Sequence, residues 1–237
     1  MGTGPESGRL SEAMTALADG VLNEDLALAL LKSPDLRVQD LELLSKTVVA
    51  MESRRVKLGL VRHPKTPRRL ALPLLRHLFT FELMQVSLSH EALADIRKVA
   101  EEALLKRIET ISLGEKLTLA RRASGKVVAR LLLEPEPRVI GAALQNSRLT
   151  EASLIKAILR DQATAALVQA VCRHFKWSVR KDVRIALLRS ENTPLARALE
   201  FARDLPASRL VEILRDSRLA ANVKAALVKG TQIAGKL

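Results

Sequence analysis

The sequence predicts an all-α protein built from stacked helix pairs, and two observations support this fold class. The 237 residues are rich in Leu, Ala, Arg, Lys and Glu, which favour helices, whereas Gly (10) and Pro (9) are scarce. In addition, segment 56–78, VKLGLVRHPKTPRRLALPLLRHL, recurs without a gap as segment 183–205, VRIALLRSENTPLARALEFARDL. Such recurrence is typical of folds that repeat one structural unit along the chain.

Each copy of the recurring segment predicts a helix, a turn and a second helix. In the second copy, the apolar residues within 183–188 suit a helix with one buried stripe. Glu191 and Asn192 interrupt this pattern, and Thr193-Pro194 follow. A threonine at the N-cap accepts a backbone N–H, and proline fits the first helical position. We therefore expect the next helix to begin at Pro194.

Four helix starts indicate the repeat length. In chain order they are Thr66 in the first copy, Ser112, which opens a capping box, Thr150 in a weaker copy, and Thr193 in the second copy. The spacings between successive starts are 46, 38 and 43 residues. A period near 40 residues with two helices per unit is that of HEAT and armadillo arrays. The expected fold is therefore a right-handed α-solenoid of HEAT-like helix pairs, with about five repeats of about 40 residues.

Segment 131–205 carries the motifs Glu-Pro-x-x-Arg-Val, Ala-Leu-x-Asn and Leu-Thr-Glu within LLLEPEPRVIGAALQNSRLTE. With these motifs it resembles bacterial HEAT-like helical-repeat proteins of undefined function. The resemblance implies stacked helices rather than a particular chemistry. HEAT-like solenoids also include DNA glycosylases, which hold damaged duplex in a basic concave face and use several aromatic residues and a carboxylate. Trp177 is the only Trp in this chain, so no catalytic residue is carried over from them.

Charge is distributed unevenly along the chain. The net charge is +13, but residues 1–50 contain four Lys or Arg against eight Asp or Glu, so residues 51–237 carry +17. We predict a flexible N-terminus (1–9) and a single α-solenoid domain (10–237), with an acidic N-terminal cap up to residue 50 and basic repeats after it. The basic excess indicates an anionic partner such as nucleic acid, an acidic protein or a membrane surface. A solvated basic surface without a partner is the alternative.

Equivalent basic residues in the recurring segments form a candidate surface for an anionic partner. Lys57 aligns with Arg184 when the two segments are superimposed, and the other members of the set lie at aligned or flanking positions. The full set is Lys57, Arg62, Arg69, Arg76, Arg180, Arg184, Arg189 and Arg203. Equivalent positions of a repeat array fall on one face, so these residues would form a ladder. Surface arginines that cover leucines with their stems are the alternative.

Trp177 is the candidate aromatic contact for such a partner. Basic and aromatic residues interleave over 173–184, a composition that suits phosphate contact combined with base stacking. The alternative, which we favour, is that Phe175 and Trp177 close one repeat against the next within the core.

No sequence motif predicts catalysis, a metal site or a cofactor. His90 and Glu91 begin like a zinc-protease helix, but the second histidine is absent. Gly125 and Lys126 lack the remaining residues of a phosphate loop. Cys172 lies in an apolar run and is expected to be buried and inert.

The sequence also predicts a cytoplasmic protein. No apolar run reaches the length of about 18 residues that a membrane span needs. The N-terminus lacks the charged start and apolar run of a signal peptide. A single cysteine excludes a framework of intrachain disulfides.

The predicted function is that of a non-catalytic helical-repeat scaffold that binds a protein or peptide partner. The alternative is a nucleic-acid-binding HEAT-like solenoid, related through the resemblance to DNA repair glycosylases, whose binding would depend strongly on salt. Peripheral attachment to an anionic membrane has the least support. Candidate arginines that converge on one concave face beside an accessible Trp177 would favour nucleic acid. Dispersed arginines and a buried Trp177 would favour the scaffold.

Overall fold

Helices form all the regular secondary structure in the part of the chain that the structure, a computed structural model, describes, residues 5–33 and 36–234. No strand occurs within these residues, so the predicted all-α fold class is confirmed. None of the described helices combines the length and the apolar character needed to cross a membrane. Of the predicted flexible N-terminus, residues 1–4 lie outside the described residues, and α1 begins at Pro5.

Contacts between helices divide the chain into two compact units, Met1–Glu109 (unit 1) and Thr110–Leu237 (unit 2). Within its described residues, unit 1 contains α1 (Pro5–Ala18), α2 (Glu24–Lys32), α3 (Val38–Ser45), α4 (Val48–Glu52), α5 (Arg54–Arg62), α6 (Arg68–Leu75), α7 (Thr80–Leu88) and α8 (Ala94–Arg107). Helix α5 is central in unit 1, because it packs against α2, α3, α4, α6 and α7. Its Val56 and Leu60 are fully buried and share a core with Leu30 of α2.

Unit 2 contains, within its described residues, α9 (Leu113–Arg122), α10 (Gly125–Leu131), α11 (Pro137–Leu144), α12 (Glu151–Ile158), α13 (Ala165–Arg173), α14 (Lys181–Arg189), α15 (Leu195–Arg203), α16 (Ala207–Arg215) and α17 (Ala221–Ala234). Alternate helices lie side by side: α9 packs on α11, α11 on α13, and α15 on α17. The series α10, α12, α14 and α16 does the same. Helices that are consecutive in the chain, such as α14 and α15, connect the two series.

The two copies of the recurring segment fold alike. In the first copy, α5 ends at Arg62 and α6 begins at Arg68; in the second, α14 ends at Arg189 and α15 begins at Leu195. Both helix bounds therefore shift from the first copy to the second by the same offset that relates the copies in sequence. The predicted helix, turn and helix is thus confirmed in each copy.

The repeat length is shorter than predicted. In unit 2 the odd-numbered helices α9, α11, α13 and α15 begin at positions 113, 137, 165 and 195, so successive helix pairs start closer together than expected. Thr150 and Thr193, which the prediction treated as neighbouring repeat starts, enclose three helices, α12, α13 and α14. The prediction of two helices in about 40 residues is therefore wrong here. The physical reason is that α12, α13 and α14 have only eight or nine residues each, so a helix pair needs less chain.

The predicted helix caps are confirmed at two positions and wrong at two. Ser112 and Glu115 form the expected capping box, and Thr150 accepts a hydrogen bond from the N–H of Ser153. At the Thr-Pro positions the proline is itself the N-cap residue, as at Pro194 before α15. The hydroxyl of Thr193 instead donates to the Leu187 carbonyl oxygen at 2.6 Å, which ties the turn to the end of the preceding helix. Thr66 is also wrong as a cap, because Pro67 is the N-cap residue of α6.

Buried or partly buried side-chain amides join successive turns in unit 2. Asn146, between α11 and α12, is 2% exposed, and its Nδ2 donates to the Ala120 carbonyl oxygen of α9 at 2.9 Å. Its Oδ1 accepts from the N–H of Arg148 at 2.8 Å. Asn192, between α14 and α15, donates to the Ala163 carbonyl oxygen at 3.2 Å. These bonds satisfy carbonyls at or near helix ends that have no partner within their own helix.

Gly125 and Gly141 form a matched pair that tests how closely the turns of unit 2 approach the helices. A Cβ on Gly125, at the start of α10, would lie 2.6 Å from the main-chain oxygen of Arg148, whereas a Cβ on Gly141 would meet no atom within 4 Å. We expect Gly125→Ala to lower the free energy of unfolding by about 1–3 kcal/mol, because the backbone must move. We expect Gly141→Ala to raise it by about 0.5–1 kcal/mol through helix propensity. Urea denaturation followed by circular dichroism measures both changes, and effects of the same sign would contradict the close approach.

Candidate functional site

The eight predicted basic residues fall into two groups of four, one in each unit. On or beside α5 and α6 of unit 1 are Lys57, Arg62, Arg69 and Arg76, and on or beside α14 and α15 of unit 2 are Arg180, Arg184, Arg189 and Arg203. The groups occupy equivalent helices, because α5 and α14 are the first helices of the two recurring segments.

In unit 1, two of the four predicted residues are bound by carboxylates. Arg62 forms an ion pair of 3.1 Å with Glu91, and Arg69 forms one with Glu42. Arg76, an exposed residue, makes no ion pair with any described residue. Exposed pairs of this kind contribute at most about 1 kcal/mol to stability. They do, however, bind guanidinium groups that a phosphate would otherwise contact.

In unit 2, Arg180 and Arg184 are bound in the same way. Arg180 pairs with Glu151 at 2.7 Å, and Arg184 pairs with Asp204 while its Nε donates to the Ser178 carbonyl oxygen at 2.7 Å. The predicted ladder therefore contains several arginines that already bind carboxylates of their own unit.

Trp177 lies in the core, which is the position that the sequence favoured. Its side chain is 2% exposed, and the indole N–H donates to the Leu144 carbonyl oxygen at 2.8 Å. Lys176 Nζ and Arg180 Cζ lie 4.3 and 5.4 Å from the centre of the ring system, so cations cover the remaining surface. In this structure Trp177 therefore offers no free face on which a base could stack.

Phe175 was expected to be buried with Trp177, and that expectation is wrong. Phe175 is 83% exposed and stacks on His174 with ring centres 5.0 Å apart. Both residues lie in the turn between α13 and α14, where Trp177 occupies the core side. Burial and the nearby Lys176 charge lower the pKa of His174, whose Nδ1 accepts the N–H of Lys176 at 3.2 Å. This turn therefore presents one exposed ring beside a cation.

The sequence prediction missed a cluster of three arginines in unit 2. Arg160, Arg189 and Arg218 line a cavity of about 20 Å³, which we name the arginine cavity. They are equally spaced in the sequence and lie at or just beyond the ends of α12, α14 and α16. Their interval matches the observed length of a helix pair, so it was a readable signal. The prediction compared only the longer offsets that relate the recurring segments, and it therefore recovered Arg189 alone.

The three arginines differ in how their guanidinium groups are used. Arg218 pairs with Asp161 at 2.7 Å and donates to the Leu159 carbonyl oxygen at 3.3 Å. Arg189 has a buried Nε with no hydrogen-bond partner among the described residues. Arg160 makes no ion pair or hydrogen bond through its side chain with any of them. Donors of two arginines are thus available at one cavity.

A larger concavity lies within unit 1 and is named here the unit 1 groove. It has a volume of about 930 Å³ and is lined by residues of α1, α2 and α5, of the segments on either side of α2, of the segment after α5, and by Glu91 after α7. Partly buried Leu26, Leu28 and Leu31 contribute apolar surface. Charged residues of both signs also line it, among them Arg9, Arg55 and Arg62, and Glu12, Asp25 and Glu91. The predicted residue Arg62 is therefore part of this groove.

Cys172 is buried, as predicted. Its side chain lies in the core of unit 2, and burial raises the pKa of its thiol to about 11. The thiol is thus protonated and shielded from solvent at neutral pH. Among the described residues, no three His, Cys, Asp or Glu side chains lie together in an arrangement that could hold a metal ion.

Comparison of the chain with protein-family models, with curated proteins and with solved structures found no match. Function is therefore inferred from geometry. Of the predicted residues, Arg189 belongs to the arginine cavity and Arg62 to the unit 1 groove.

Replacing Trp177 by phenylalanine tests its buried hydrogen bond. We expect Trp177→Phe to lower the free energy of unfolding by about 1–3 kcal/mol, because the Leu144 carbonyl loses its donor in the core. Chemical denaturation measures the change. Phe175→Leu is the control, and it should change stability by less than about 0.5 kcal/mol because the ring is exposed. Equal effects of the two substitutions would contradict the assigned positions.

The reactivity of Cys172 tests its burial. At pH 8 the native thiol should react with iodoacetamide at least about tenfold more slowly than in denaturant, because only an exposed thiolate is a good nucleophile. The neutral thiol also favours the fold below its ordinary pKa of 9.0, and this contribution is lost as the pH rises through about 11. The difference in unfolding free energy between wild type and Cys172→Ala should therefore shrink from pH 9 to pH 11. Rapid alkylation of the native protein would show that the thiol is accessible.

Proposed function

We propose that this protein is a non-catalytic helical-repeat scaffold that binds a protein or peptide partner. In this proposal its helices stack as a right-handed α-solenoid, as in the bacterial HEAT-like proteins that the sequence resembles, and the protein acts in the cytoplasm. The observation that carries the proposal is the unit 1 groove, which combines apolar surface with charges of both signs.

The size and lining of the unit 1 groove suit a peptide segment. Its volume of about 930 Å³ lies within the range of about 300–1,000 Å³ that is usual for binding clefts. The leucines of α2 would contact apolar side chains on one face of an amphipathic helix. Charges of both signs would then pair with the charged residues along its edges. A phosphate backbone would meet the carboxylates of Glu12, Asp25 and Glu91, which repel it.

The charge balance favours an acidic partner. Residues 51–237 carry a net charge of +17, which attracts a partner of negative net charge. An acidic segment of the partner would be attracted over distances up to about 8 Å at physiological ionic strength. This attraction would accelerate association more than it would strengthen the complex.

Nucleic-acid binding is the second candidate function, and the turn that carries Phe175 favours it. An exposed ring beside Lys176 could stack on a base while the lysine contacts a phosphate. Against it stand the burial of Trp177 and the ion pairs of several candidate arginines. The relationship to DNA repair glycosylases belongs to this second candidate.

Peptide selection tests the proposed scaffold function. Peptides of roughly 12–15 residues, long enough to form three or four helical turns, selected from a random display library should share apolar residues at helical spacing together with acidic residues. Ala29→Trp would fill the unit 1 groove, and we expect it to weaken the selected peptides by at least about tenfold. Gln39→Trp adds the same ring to an exposed position of α3 and should have no effect. Lys32→Glu gives a second groove variant if Ala29→Trp alters the circular dichroism spectrum.

Fluorescence anisotropy with labelled single- and double-stranded oligonucleotides separates the two candidate functions. The scaffold proposal predicts weak binding that vanishes by about 0.15 M salt. The scaffold proposal would be overturned by oligonucleotide binding that persists at that salt concentration, is weakened by Phe175→Ala and is unchanged by Ala29→Trp. Nucleic acid would then become the partner.

A further inference from the structure

We propose that the arginine cavity of unit 2 binds a phosphate group. The cavity lies in a different unit from the groove on which the proposed scaffold function rests, so the two proposals are independent. The ligand class is a phosphate monoester or inorganic phosphate, whose shared chemistry is a tetrahedral dianion with several hydrogen-bond acceptors.

The charge of the arginine cavity favours an anion. Three arginines and one carboxylate, that of Glu191, line it. Asp161 pairs with Arg218 at 2.7 Å and offsets the charge of that arginine, so Arg160 and Arg189 supply the positive charge that a ligand would meet. A phosphate monoester carries about −1.5 to −2 at neutral pH and would be attracted to these two guanidinium groups.

The hydrogen-bond donors of the cavity are also unused. Arg189 Nε is buried without a partner among the described residues, and a buried donor in that state destabilises the fold unless an acceptor reaches it. The Arg160 side chain makes no hydrogen bond or ion pair with any described residue. Ser190 adds a hydroxyl to the lining. Guanidinium groups match the spacing of phosphate oxygens and bind them through paired N–H donors.

The size of the cavity restricts the ligand to its anionic head. Its volume of about 20 Å³ exceeds the 10–15 Å³ or so that one water-sized atom requires, but it is too small for a base or a sugar. Phosphate oxygens could enter while the rest of the ligand stays outside. A terminal phosphate therefore fits better than the continuous backbone of a nucleic acid.

The alternative is that an arginine near a helix end has a purely structural role, in which it binds the last carbonyls of the helix. One of the three arginines makes such a contact. Arg218 donates to the Leu159 carbonyl oxygen just beyond α12. The side chains of Arg160 and Arg189 make no such contact with the described residues. These two arginines, rather than Arg218, are therefore the residues whose replacement separates phosphate binding from structural support.

Isothermal titration calorimetry with inorganic phosphate, at ionic strength held constant with chloride, tests the site on the full chain. We expect saturable binding that Arg160→Gln and Arg189→Gln each weaken by at least about tenfold. Arg203→Gln is the matched control, because Arg203 is exposed, makes no ion pair with the described residues and does not line the cavity. The melting temperature in chloride alone should be the same for Arg160→Gln as for the wild type, and this result would show that the variant is folded.

A second pair of probes distinguishes the source of the phosphate. Tighter binding of phosphoserine blocked at both ends than of inorganic phosphate would indicate a phosphorylated partner, and the reverse order would indicate the free ion; either supports a phosphate site. The blocked, unphosphorylated serine should not bind. Absence of saturable phosphate binding to the wild type, or equal weakening by Arg160→Gln and Arg203→Gln, would overturn the proposal.

Discussion

The structure of unit 2 depends on one constraint: its helices are short, and the backbone groups at their ends have no hydrogen-bond partners within the same helix. From α9 to α16 each helix has seven to ten residues, whereas isolated helices below about 12–15 residues are marginal in water. The last four carbonyls of every helix also lack partners within it. Neighbouring turns supply the missing donors, as Asn146 does for Ala120, and neighbouring helices cover the apolar faces. Stability therefore resides in contacts between helices.

The same constraint explains why basic side chains collect where they do. A helix end needs donors, and arginines lie at or just beyond the ends of α12, α14 and α16. Where such a donor reaches a carbonyl, as Arg218 does, it supports the fold. Where it reaches none among the described residues, as with Arg160, an unused cation remains beside the helix end. Repetition of the helix pair brings several of these positions to one cavity without any special folding of the chain.

Sequence reasoning was most accurate where the signal was local. The two recurring segments, the capping box at Ser112 and the buried Trp177 all follow from neighbouring residues. The repeat length did not, because similar Ser and Thr residues recur before every third helix, and their spacing does not reveal how many helices lie between them. Phe175 was misplaced since composition does not determine which side of a turn a ring occupies. The arginine cavity was missed because only the longer offsets between the recurring segments were compared, whereas its three arginines recur at the interval of one helix pair.

The alternation of helices in unit 2 also bears on its mechanics. Among the described residues, its main contacts join helices that are at most two apart in the chain, so no extensive contact ties the first helices of the unit to the last. Because each helix contacts mainly its near neighbours, the stability of this unit is close to a sum of terms between adjacent helices. Its terminal helices can unwind one after another while the interior stays folded. A ligand that bridges the ends of α12, α14 and α16 would add a stabilising interaction that joins three of these helices at once.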